Sequence, residues 1–266
     1  MTVGKLLRLY RIINPKSRKT IIVPMDHGGF GMLEGLEDIR NAVHKVVEGG
    51  ANAVVLQQGA AIAACNEIMG KAGLILRISR VTVFNEEVGL YEAPSYSVEG
   101  ALRLGADAVI VSYYVGGKRE FESLKDASRI ADDCAKWGVP FLVEALPSQD
   151  KFKSFDDPEC VKWACRSAAE LGADMIKAYL PNDVDYMKEV VRVTPVPIVL
   201  AGGEVASVRE VLEKTKNAMD AGLAGLCYGR KIFKYRDPTL MVKALSKIVH
   251  EKYEINEVLK EFPELR

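Results

Sequence analysis

The stretch AELGADMIKAYLPND, residues Ala169–Asp183, decides how the chain folds. A helix-like run ends in Gly172, five residues of strand character follow (Met175–Tyr179), and Pro181-Asn182-Asp183 breaks the pattern. Glycine at that junction accepts the left-handed backbone of a helix C-terminus. The same phrase recurs along the chain as EGGANAV (48–54), RLGADAV (103–109) and DAGLAGL (220–226). Each occurrence joins a helix to a strand, so the chain is built of repeated α-to-β steps.

Working outward, further strand candidates are Thr20–Pro24, Ala53–Gln57, Leu74–Ile78 and Ala108–Ser112, then Pro140–Ala145, Pro197–Ala201 and Gly225–Tyr228. These runs are continuously apolar, not alternating, as expected for parallel strands covered on both faces. Amphipathic stretches over 36–48, 121–137, 158–171, 183–193 and 208–221 separate them, and 240–250 and 256–261 read as terminal helices. Eight strands with intervening helices predict an α/β fold of the closed (β/α)8 TIM-barrel type, with residues 1–266 as one domain. A doubly wound open sheet would need a glycine-rich loop after the first strand, and MDHGGFG (25–31) matches GxGxxG poorly.

Composition narrows the function. Basic and acidic residues number 36 each, so an anionic substrate must be drawn by local groups, not by net charge. The absence of charge blocks argues against nucleic-acid or membrane-surface partners, and no apolar run reaches the roughly 18 residues of a membrane span. The N-terminal residues lack the apolar core and cleavage site of a secretory signal. Five cysteines at irregular spacing read as reduced thiols in a cytoplasmic protein.

In such a barrel, chemistry gathers at the C-terminal ends of the strands. Lys177 is the most telling residue there, because lysine is rarely buried without a partner. A low-dielectric pocket would lower its proton affinity and free a neutral amine to condense with a carbonyl. Asp26 and His27 close the first strand; Asp26 would orient the lysine or move protons. Arg77 and Glu144 lie in the third and fifth strands, and Arg77, like His27, is a candidate for binding the substrate or its phosphate. Gly202 and Gly203, with Gly229 and Arg230, fall where barrel enzymes bind phosphate. His27, His44 and His250 form no metal-ligand pattern.

Together, VPMDHG (23–28), LGADMIKAY (171–179), VPIVLAGG (196–203), AGLAGLCYGRKIF (221–233) and KALSKIVHE (243–251) resemble the DhnA-type class I aldolases of the DeoC/LacD superfamily. That group includes archaeal-type fructose-1,6-bisphosphate aldolase, 2-amino-3,7-dideoxy-D-threo-hept-6-ulosonate synthase and the autoinducer-2 thiolase. The resemblance implies a Schiff base on Lys177, Asp26 as the active-site aspartate, and a phosphorylated sugar held at Gly202, Gly203, Gly229 and Arg230. It also implies a homo-oligomer, often a decamer, with no metal or cofactor. One departure matters: Leu146 stands where the family carries a proton-transferring tyrosine, and the basic residue often found at position 58 is Gln58. Glu144 shares the strand face of position 146, one layer deeper, and is the substitute acid/base candidate; pairing with Arg77 is its alternative role. Tyr113, Tyr114 and Tyr179 are further proton donors to consider.

Overall fold

The computed structural model describes all residues except Met1, Met32, residues 81–90, Val205 and Arg266. Eight parallel strands close into a barrel: β1 (Thr20–Pro24), β2 (Ala53–Leu56), β3 (Gly73–Arg77), β4 (Ala108–Val115), β5 (Phe141–Pro147), β6 (Met175–Ala178), β7 (Ile198–Ala201) and β8 (Gly225–Cys227). Each strand pairs with its sequence neighbours, and β8 pairs back onto β1. The eight predicted strands are therefore all present. β4 and β5 run farther toward their C-termini than their apolar runs suggested, through Tyr114–Val115 and Leu146–Pro147. A two-residue antiparallel ribbon, Ser79–Arg80 with Ala93–Pro94, rises from the end of β3.

Two apolar cores result from the alternation of side chains along each strand. The outer core lies between the barrel and its helices. The inner core fills the barrel with Ile22, Ala53, Val55, Ile75, Ala108, Ile110, Leu142, Met175, Val199 and Cys227. Helices at Ile39–Glu48, Glu120–Trp137, Val161–Glu170, Val184–Val193, Val208–Asp220 and Pro238–Glu251 supply the outer layer. Their starts are fixed chemically: Asp38, Asp183 and Asp237 cap three of them, and Ser207 with Glu210 forms a reciprocal capping box.

Several elements were not foreseen. Short helices at Gln58–Ala63, Cys65–Ile68 and Val98–Arg103 follow β2 and the ribbon, each too brief to show a periodic face. The N-terminal segment is also a helix, Val3–Ile12, capped by Thr2. It closes the N-terminal mouth of the barrel: Leu9 and Ile12 belong to the inner core, and Thr20 Oγ1 donates to Ile12 O at 2.5 Å.

Ile12 is fully buried beneath β3. Ile12→Ala should cost about 2–5 kcal/mol, read as a lower thermal midpoint with steady-state kinetics unchanged at permissive temperature. An unchanged midpoint would show that the helix does not support the barrel.

Candidate active site

Counting by two from the inner core leads directly to the site. Ile75, Ile110, Leu142 and Met175 form an apolar layer inside the barrel. Two residues on, the same inward face carries Arg77, Ser112, Glu144 and Lys177. Two further, it carries Ser79, Tyr114, Leu146 and Tyr179. All eight of these upper residues line one cavity of about 490 Å³ at the C-terminal end of the strands, together with Asp26, His27, Gln57, Glu92, Arg230 and others. A charged layer thus rests on an apolar floor.

Strand register brings the charged groups into contact. Ser112 is level with Glu144, and Glu144 with Lys177. Lys177 Nζ lies 2.6 Å from Glu144 Oε1. The other oxygen, Oε2, accepts from Arg77 Nη2 at 2.5 Å. Arg77 also donates from Nε to Asp26 Oδ2 at 2.7 Å and from Nη1 to Ser112 Oγ at 3.0 Å and Glu92 Oε2 at 3.3 Å. Asp26 Oδ1 faces His27 Nδ1 at 3.6 Å. Lys177 and Glu144 are each 6% exposed, and Arg77 5%.

This geometry corrects two expectations. Lys177 is buried as foreseen, but its proton affinity is raised, not lowered. Burial alone would lower it; the Glu144 carboxylate more than offsets that cost. The resting side chain is therefore an ammonium. Arg77 was expected to bind substrate or its phosphate, yet its guanidinium is committed to Asp26, Ser112, Glu92 and Glu144. Burial would raise the carboxylates, but their cationic neighbours prevail: Glu144 is held down by Lys177 and Arg77, and Asp26 is lowered to about 2 by Arg77, His27 and Lys177. His27 is lowered by burial in spite of Asp26, and its ring meets Phe233 edge-on at 5.3 Å.

The residues expected at a phosphate end lie as follows in the structure. Arg230 lines the cavity and is bonded to Glu204, an exposed carboxylate that lines the same mouth. Lys234 lines it as well. Gly203 has φ +73°. Gly202 and Gly229 admit close neighbours: a Cβ would lie 3.3 Å from Tyr228 Cα at Gly202, and 2.8 Å from Pro24 O at Gly229. Their first role is to let chain segments pass closely.

Of the tyrosines, Tyr114 and Tyr179 face the cavity, and burial pushes Tyr179 up to about 12, leaving it a proton donor. Tyr113 points out of the barrel, where its hydroxyl meets Ser167 Oγ at 3.0 Å. His44 pairs with Glu67, and His250 with Ser17 and Asn52, away from the cavity. Ser112, Ser79 and Glu92 escaped the sequence reading. Ser112 and Ser79 were findable by the same step of two; Glu92 arrives from the ribbon's return limb, which leaves no strand signal.

A parallel eight-stranded barrel with a buried lysine–carboxylate pair at the strand C-termini is the architecture of a lysine-dependent aldolase. The chain belongs to the DeoC/LacD family aldolases, whose family model matches residues 20–235. It is 34% identical over 252 residues to 2-amino-3,7-dideoxy-D-threo-hept-6-ulosonate synthase of Halobacterium salinarum, covering 93% of this chain and 92% of that one. It is 33% identical over 248 residues to 3-hydroxy-5-phosphonooxypentane-2,4-dione thiolase of Salmonella typhimurium, covering 93% and 82%. An archaeal fructose 1,6-bisphosphate aldolase structure superposes with a TM-score of 0.83 at 28% identity, covering 93% of this chain and 99% of that chain. A Schiff-base-forming fructose-1,6-bisphosphate aldolase studied through its reaction intermediates gives 0.84 at 29%, covering 92% and 99%. The chain is accordingly a class I aldolase-type enzyme.

Asp26 has a folded value of about 2, below its ordinary one. Its ionised form therefore stabilises the fold above about pH 4, and that contribution disappears as pH falls through the folded value. Glu144 moves in the same direction. The thermal midpoint should fall between about pH 4 and pH 2. Asp26→Asn should flatten that fall and cost about 2 kcal/mol at pH 7; a pH-independent midpoint across this window would contradict the assignment.

Proposed function

We propose that this enzyme makes or breaks a carbon–carbon bond in a phosphorylated ketose through a Schiff base on Lys177. The observation that carries this reading is the 2.6 Å contact between Lys177 Nζ and Glu144 Oε1 on the floor of the cavity. A permanently charged lysine is no nucleophile, but this ammonium has its proton acceptor in direct contact. As the ketone arrives, Glu144 takes one proton and the neutral amine attacks the carbonyl carbon. A second proton passes from the attacking nitrogen to the former carbonyl oxygen, giving the neutral carbinolamine; Glu144 then returns its own proton to that hydroxyl, which leaves as water, and the iminium cation forms facing the Glu144 carboxylate.

Asp26 then removes the proton from the hydroxyl beyond the bond to be cut. That bond breaks, its electron pair enters the iminium, and an enamine remains. Protonation and hydrolysis of the enamine regenerate Lys177. Arg230 and Lys234 hold the substrate phosphate at the mouth, with Glu204 occupying Arg230 until the phosphate displaces it. His27, Gly202, Gly203 and Gly229 shape that end, and no cofactor is assigned to the cycle.

A second reading draws support from Leu146. It lines the cavity where the family tyrosine would stand, and leucine moves no proton. This favours carbon–carbon chemistry other than cleavage of fructose 1,6-bisphosphate itself, such as that of the phospho-thiolase. A substrate panel scored by product mass separates the two.

We place all of this in one barrel domain, in the cytoplasm, where the four buried thiols and exposed Cys65 remain reduced. We further propose a homo-oligomer: the N-terminal helix turns Val3, Leu6, Leu7 and Tyr10 outward, an apolar stripe suited to burial against another copy.

Borohydride with dihydroxyacetone phosphate should add a reduced adduct to the Lys177 peptide. Lys177→Met should abolish both adduct and turnover, and Glu144→Gln should lower kcat about 10²–10⁴-fold. Full activity in Lys177→Met would end the proposal. Arg230→Ala should raise KM for a phosphorylated substrate about 10–100-fold, whereas Glu204→Gln should lower it; unchanged KM in Arg230→Ala would move the phosphate elsewhere.

A further inference from the structure

Arg77 lies in the reactive layer without being free to react with anything. Its bonds fan across the guanidinium plane: Nε to Asp26, Nη1 to Ser112 and Glu92, and Nη2 to Glu144. The three carboxylates come from separate parts of the chain, namely the end of β1, the return limb of the ribbon, and β5. Ser79 Oγ donates to the same Glu92 oxygen at 2.5 Å, which fixes that side of the cluster. Only a rigid planar fork meets such a set at once; a lysine ammonium in this place would be a point charge with fewer directions.

The consequence falls on two carboxylates. Glu144 has Oε2 clamped by Arg77, so Oε1 alone remains to face Lys177. Asp26 has Oδ2 clamped, so Oδ1 alone turns toward His27. Neither carboxylate can rotate without breaking a buried charge-assisted bond, which is the strong kind. Ser112, level with Glu144 on the adjacent strand, keeps the fork in plane.

We propose that Arg77 is the positioning residue of this enzyme: it fixes the carboxylate of Glu144 so that one oxygen faces Lys177, and that of Asp26 so that one oxygen faces the cavity. It touches no reacting atom and acts through those two carboxylates. The proposal rests on the reading of Lys177 as the imine-forming residue.

Three variants, compared with wild type, test it: Ser112→Ala, Arg77→Lys and Arg77→Met. The readouts are kcat, KM, and the pH dependence of borohydride trapping with dihydroxyacetone phosphate. Ser112→Ala removes one guide bond and should lower kcat about 3–10-fold. Arg77→Lys keeps the charge but loses the fork, and should lower kcat about 100-fold. In both, KM should stay within about threefold of wild type. Arg77→Met removes the neighbouring cation, so Glu144 holds its proton to higher pH, and the acid limb of trapping should rise by about one pH unit or more. Should Arg77→Met not fold, the other two decide. Wild-type kcat in both Ser112→Ala and Arg77→Lys would overturn the assignment. So would a rise in KM at constant kcat, which would make Arg77 a substrate-binding group. Absence of any adduct in wild type would instead bring down the Schiff-base reading itself, so the two failures are distinguishable.

Discussion

A layer of charge laid across an apolar barrel floor is the constraint on which this molecule depends. Taking an ion from water into such a place costs several kcal/mol unless partners replace the lost hydration. Arg77 and Lys177 are the cations, and Asp26, Glu92 and Glu144 the carboxylates that surround them. None could stay ionised there alone. The fold supplies the partners through strand register, which sets Ser112, Glu144 and Lys177 in one row across three neighbouring strands. Beneath them Ile75, Ile110, Leu142 and Met175 close the barrel, so the charges can be met only from above, by substrate.

This arrangement inverts the simplest account of a reactive lysine. Desolvation alone would discharge the amine and leave it waiting as a base. Here the ion pair keeps it charged at rest, and on the proposed mechanism nucleophilicity requires one proton to move across 2.6 Å. On the proposed route the same carboxylate would return the proton and face the iminium, so one residue would serve three moments of the cycle. It also makes sense of Leu146 in the layer above: with a carboxylate already against the lysine, the proton has a route that does not pass through that position. Tyr114 and Tyr179, at the height of Leu146, remain protonated donors around the substrate.

Much of this could be read from the chain and some could not. Apolar runs marked the eight strands because both faces of each are covered, and glycines marked the helix ends; Gly105, Gly138, Gly172 and Gly222 do take positive φ. The burial of Lys177 followed from its place within MIKAY. Its charge state did not, because that depends on which residue of β5 lies level with it, and register is a property of the closed sheet. Arg77 was legible as an inward residue but not as the centre of a cluster, since Glu92 reaches it from a ribbon of two-residue strands. The N-terminal helix was missed because its outward face is apolar too, which blurs the polar half of an amphipathic pattern. Tyr113 and Tyr114 look alike in sequence; alternation along β4 sends one out to Ser167 and the other into the cavity.

The most direct test of the account is the charge on one nitrogen in the resting enzyme. Lysine side-chain nitrogens labelled with ¹⁵N and followed by NMR across pH give it, with Lys177 assigned by its loss in Lys177→Met. The account predicts a Lys177 signal that is still an ammonium at pH 7 and titrates above the ordinary lysine value of about 10.4. In Glu144→Gln, where burial is no longer offset, the same signal should titrate below that value. A neutral Lys177 amine at pH 7 in the unmodified enzyme would contradict the account.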